Sequence, residues 1–119
     1  MELTETNFSE GSEIQERLEL RLISDRDEPT IIDSDHQIEL IVKALSSETR
    51  RKILQQIQTS EVDLDVSNIA SQLDMTEANI SAQIKKLKEA GLIECIYCSG
   101  QHGVRKVSKL KYNKLLLRF

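Results

Sequence analysis

The chain has 119 residues, 39% of them hydrophobic and 3% aromatic, with no Trp and a formal net charge of −4. That length holds one compact domain with an arm, and its core must be built from Ile, Leu and Val. No apolar run approaches the roughly 20 residues of a membrane span, and two Cys exclude a disulfide scaffold and fit a reducing cytoplasm.

Met1–Glu5 is acidic and lacks the basic-then-apolar order of a signal or transit peptide, so the expected location is cytoplasmic. Residues 1–15 are rich in Glu, Ser and Thr with little to bury, and read as a disordered acidic tail. Residues 16–34 read as an extension. Leu18, Leu20 and Leu22 alternate, the period of a half-buried strand, with a helix continuing from Glu13 as the alternative. Asp25–Thr30, containing Pro29, is a loop, after which Ile31 and Ile32 are expected to re-enter the core.

Residues 35–111 carry the main domain. Asp33, Ser34 or Asp35 caps a helix whose Ile38, Ile41, Val42 and Leu45 fall on one predicted core face. Ser47 caps a second helix that buries Ile53, Leu54 and Ile57. Its Arg50, Arg51 and Lys52 stand near a helix start, where they oppose the macrodipole, so local stability does not explain them. Residues 59–65 read as a polar loop. A short helix, Val66–Leu73, opened by Asp65 or Ser67, meets a tight turn at Asp74–Met75. Thr76 then caps a longer helix, Glu77–Ala90, that buries Ile80, Ile84 and Leu87 and stops at Gly91. Leu92–Cys98 and Val104–Leu110 read as strands joined by a turn over Ser99–Gly103. Residues 112–119 form a further strand or a short helix, a strand being favoured because residues 103–113 show no helical stripe.

Helix, tight turn, helix and Gly-tipped hairpin is the order of a winged helix-turn-helix: an α+β fold with a three-helix core, a β-hairpin wing and, here, an N-terminal extension. Ala70 supplies the small residue where the two motif helices touch. At 100° per residue, the longer helix turns Ala78, Asn79, Ala82, Lys85, Lys86 and Glu89 away from the core, with Gln83 at the border. Asn and Gln pair in bidentate fashion with adenine, and Ala meets a thymine methyl. Lys85 and Lys86 suit phosphates, as does Thr76 at a helix start, and the hairpin offers Arg105 and Lys106 to the backbone or minor groove. Charge segregation agrees: residues 1–40 carry twelve acids against three bases, and residues 41–119 carry thirteen bases against eight acids. A basic half is the footprint of a polyanion partner. The expected function is therefore sequence-specific binding of double-stranded DNA, with a winged helix used only for protein contacts as the alternative.

Ala44–Leu54 and Asn68–Ile93 resemble the opening segment and the helix-turn-helix of ArsR-type winged-helix repressors, and His102–Leu110 is similar in style to archaeal members. The resemblance covers residues 36–110. It implies a transcriptional regulator, usually a repressor and usually dimeric, with Thr76, Asn79, Ser81, Ala82, Gln83 and Lys86 at recognition positions. In wheel terms Ser81 points partly inward. Two departures stand out: Leu64–Ala70 has no Cys or His where many such repressors sense metal, and the usual long C-terminal dimer helix is missing. A homodimer would then use the Leu18–Ile23 strand or the Leu115–Phe119 cluster.

Cys95 and Cys98 are spaced C-x-x-C with His102 following, but residues three apart on a regular strand face opposite ways. They are read as ordinary strand cysteines, with a metal site (Cys95, Cys98, His102) or a redox pair as alternatives. No cofactor is expected. His36, Asp63 and Asp65 have capping or packing roles available, and the four Gly form no phosphate loop, so no catalytic constellation is present.

Overall fold

The computed structural model describes residues 18–100 and 103–119. Each of its four helices opens on a side chain that accepts the backbone N–H three residues on, which satisfies one of the orphan donors of a first turn. Ser34 caps α1 (Asp35–Leu45), Ser47 caps α2 (Glu48–Thr59), Asp65 caps α3 (Val66–Leu73) and Thr76 caps α4 (Glu77–Glu89). At Asp65 the box is reciprocal, because the Asn68 side chain accepts from the Asp65 N–H. The turn after α3 is made by Asp74 at φ 57 and ψ 50, a left-handed conformation that Asp tolerates better than most side chains. Gly91, at φ 79, ends the segment after α4.

Two small antiparallel sheets flank the helices. In one, β1 (Glu19–Ile23) lies between β2 (Thr30–Ile32) and β6 (Lys114–Arg118). In the other, β5 (Gly103–Leu110) lies between β3 (Leu64–Asp65) and β4 (Ile93–Gly100). The β4–β5 register runs from Ile93 opposite Leu110 to Gly100 opposite Gly103, forming the wing. Its tip, residues 101 and 102, lies outside the described residues, as do the acidic tail and residues up to 17. The fold is thus an α+β winged helix-turn-helix. One core joins both sheets to all four helices. Leu20 and Leu22 of β1 reach the same cluster as Ile53, Ile69, Ile80, Leu87 and Ile93.

Three details depart from the periodicity. Val42 is about half exposed, and α1 instead buries Ile38, Ile41 and Ala44. Small Ala44 lies on the inner side and Val42 looks outward, so the buried stripe follows i, i+3, i+6. Ile31 is also exposed, since β2 alternates and only Ile32 packs against the core. Residues 59–65 are not wholly loop, because Leu64 and Asp65 pair with Ser108 and Val107. A two-residue strand has no period to detect.

Ile41→Ala should lower stability by about 2–5 kcal/mol in urea titration, whereas Val42→Ala should stay within about 0.5 kcal/mol of wild type. Equal costs would contradict this orientation of α1.

Candidate nucleic-acid interface

The site is built on α4. Ile80, Ile84 and Leu87 are buried, and this fixes the rotation of the helix. Thr76, Ala78, Asn79, Ser81, Ala82, Lys85 and Lys86 are all exposed on its remaining surface, and Gln83 is half-buried at one border. Ser81, which the wheel turned partly inward, faces a groove on the wing side together with Lys85, Lys88 and Lys106. The Thr76 hydroxyl accepts the Asn79 N–H at 3.1 Å, so its own proton remains available to a phosphate oxygen.

On the opposite border the polar side chains are wired together. Arg50 Nη1 donates to Gln83 Oε1 at 2.6 Å, and Gln83 Nε2 donates to Asn79 Oδ1 at 3.1 Å. Asn79 Nδ2 lies 3.8 Å from Met75 Sδ. Arg50 also donates to the carbonyls of Ala44 at 2.7 Å and Lys43 at 3.0 Å, and Arg51 donates to that of Leu45 at 2.8 Å. Both arginines sit at the start of α2, yet their charges lie against the C-terminal carbonyls of α1. That is the favourable end of a different helix dipole. Sequence reading put Asn79 on the outer face and Gln83 at its border but missed Arg50 as their anchor. Its only local signal was a base where its own helix disfavours one.

The wing divides its cations. Arg105 Nε donates to Asp65 Oδ2 at 3.1 Å, and its Nη2 donates to Asn68 Oδ1 at 2.8 Å and to the Asp63 carbonyl at 3.4 Å. Lys109 is ion-paired to Asp63. Arg105 therefore ties the hairpin to the N-terminus of α3, and its guanidinium already has three acceptors within the chain. Among the described residues no carboxylate forms an ion pair with Lys85, Lys86, Lys88 or Lys106, which surround the outer surface of α4. The Asp65 carboxyl is held below its usual range. The Asn68 N–H is the main cause and Arg105 adds to it, against a smaller opposing cost of burial.

Cys95 Sγ lies 3.9 Å from Ser108 Oγ, whereas Cys98 Sγ lies 4.0 Å from Asp63 Oδ2, so the two thiols have different surroundings. His102 is outside the described residues. Among the described residues no three His, Cys, Asp or Glu side chains cluster to hold a metal ion, and no helix is long and apolar enough to cross a membrane.

A family model described as a helix-turn-helix domain matches residues 45–96. No curated protein matches the chain. Among solved structures, it is similar to reduced HlyU from Vibrio cholerae N16961, with 21% identity, covering 63% of this chain and 73% of that one at a TM-score of 0.51. It is also similar to the crystal structure of an ArsR family transcriptional regulator, RHA00566, with 25% identity, covering 66% and 75% of the two chains at a TM-score of 0.53.

Asp65 stabilises the fold as a carboxylate, so its contribution is present above the ordinary carboxylate range and is lost as pH falls through its lowered value. Asp65→Ala should cost about 1–2 kcal/mol near neutral pH, and the gap to wild type should close on acidification. A gap that stays constant down to strongly acidic pH would show that the carboxylate charge is not involved.

Proposed function

We propose that this chain, an ArsR-type winged helix-turn-helix protein, is a transcriptional regulator that binds double-stranded DNA sequence-specifically as a homodimer and represses by occluding promoter assembly. The observation that carries the reading is the outer surface of α4. It offers two amide side chains held in a fixed orientation, Asn79 and Gln83, amid lysines that no carboxylate neutralises among the described residues. Amides in the major groove discriminate bases, and lysines around them meet phosphates without regard to sequence. Ala82 and Ala78 leave room for a thymine methyl at the centre of the same face.

The wing contributes chiefly through Lys106. Arg105 holds the hairpin in place and must exchange an internal acceptor before it contacts a phosphate, so its role is positioning first. Lys85 and Lys88, with Lys106, line the wing-side groove, which suits the backbone of one strand. Arg50 orients Gln83 from behind, which makes it a positioning residue for base reading.

The test is binding of the purified chain to a duplex of its own upstream region and to a scrambled duplex, over a salt series. The native duplex should win by about 10³-fold or more. Gln83→Ala and Asn79→Ala should narrow that preference. Lys86→Ala and Lys106→Ala should weaken both duplexes alike and each reduce the salt slope by about 1. Weak binding without preference, across a wider operator screen as well, overturns the reading in favour of a winged helix that contacts only protein.

A further inference from the structure

The free edge of β6 and the apolar cleft beside it play no part in the DNA-facing surface. β6 is one edge of its sheet, and among the described residues no strand pairs with its outer side. Strand edges are ordinarily blunted by brevity, proline or charge. The opposite edge, β2, is three residues long and begins immediately after Pro29. β6 instead presents three consecutive leucines, with Lys114 and Arg118 only at its ends.

The same strand borders an open cleft between its sheet and the helices, lined by Leu22, Leu45, Leu54, Leu92, Leu110 and Leu115 among others. The cleft volume is about 280 Å³, and an apolar cavity of roughly 150 Å³ already accepts a benzene ring. By strand alternation Leu115, Leu117 and Phe119 share the cleft-side face, while Leu116 turns to the other. Phe119 is 94% exposed and Leu117 41%. The chain thus carries a bare aromatic ring, an unpaired edge and a ring-sized apolar cleft within one short strand of each other.

We infer that a second copy of this chain pairs antiparallel with β6 along its free edge and places its Phe119 in the cleft. The inference rests on the homodimer part of the reading above and names its interface. A two-fold axis at Leu117 sets Phe119 opposite Leu115 of the second copy, on the same face and at the cleft, twice per dimer. An axis at Leu116 would instead set Lys114 against Arg118 of the second copy, and like charges directly opposite destabilise a strand pair. The end charges therefore select the register that delivers the ring. Directly opposed residues share a face, so both helical bodies lie on one side of a continuous six-stranded sheet.

Sedimentation equilibrium on the full chain tests this. Wild type should be dimeric at tens of micromolar. Phe119→Ala removes a ring that the monomer scarcely packs, so melting of the isolated subunit should not change, yet dimer affinity should fall by about 10²-fold or more. Leu117→Glu, which opposes two carboxylates at the axis, should give monomers, and Leu116→Ser should leave the dimer intact. A wild-type dimer indifferent to both Phe119→Ala and Leu117→Glu overturns this interface but leaves the homodimer reading standing. A monomeric wild type overturns both. So does a monomer that binds the apolar dye 8-anilinonaphthalene-1-sulfonate and loses it on Leu54→Arg, which would give the cleft to a small ligand. Duplex discrimination, measured in parallel, reports on the DNA reading separately.

Discussion

Arg50 joins three parts of the molecule that are distant in their local logic: the end of α1, the start of α2 and the outward border of α4. By its position in α2 it costs a few tenths of a kcal/mol, since a cation there faces the positive end of the helix dipole. That cost is offset because the guanidinium lies against carbonyls at the end of α1, that of Ala44 and that of Lys43, which Ser46 shares. A planar fork with five donors serves acceptors in different directions at once. A lysine has one nitrogen at the tip of a flexible stem and cannot span them. The α1–α2 corner and the orientation of the Gln83 amide are therefore set by one side chain.

That wiring has an electrostatic sequel. With Gln83 Oε1 directed at Arg50, Gln83 Nε2 is directed at Asn79, and Asn79 Oδ1 is already an acceptor. The surface is thus pre-ordered with its donors and acceptors assigned, so a base edge exchanges existing hydrogen bonds instead of ordering loose side chains. The wing follows the same economy. Arg105 and Lys109 are engaged by Asp65 and Asp63, so the basic run in the C-terminal third counts more cations than it presents. Lys106 is the hairpin cation that no described carboxylate pairs with.

Helix boundaries were legible because capping residues and apolar stripes coincide at Ser34, Ser47, Asp65 and Thr76, each with its bond in place. The buried face of α4 was legible for the same reason, since three large side chains agree on one direction. Periodicity was less informative in α1. Its sequence offers both Val42 and Ala44 at plausible inward angles, and contacts with other elements choose between them. Long-range pairings were not legible at all. The contacts of Arg105 with Asp65 and of Arg50 with Gln83 span 40 and 33 residues, and no local pattern says which residue pairs with which. The brief pairing of Leu64 and Asp65 with β5 escaped for want of length.

The pairing of β1 with β6 sets an order of events during folding. Leu20 and Leu22 belong to the common core, yet their strand pairs only with β2 and with residues nearly a hundred positions further on. The helix-turn-helix and wing draw mostly on contacts within residues 35–110, so they can condense before β1 and β6 meet. The first sheet must wait for β6, a closure of high sequence separation and hence slow. Until then Leu20 and Leu22 share a partly folded chain with an exposed apolar surface, the stage at which it is most prone to mispairing.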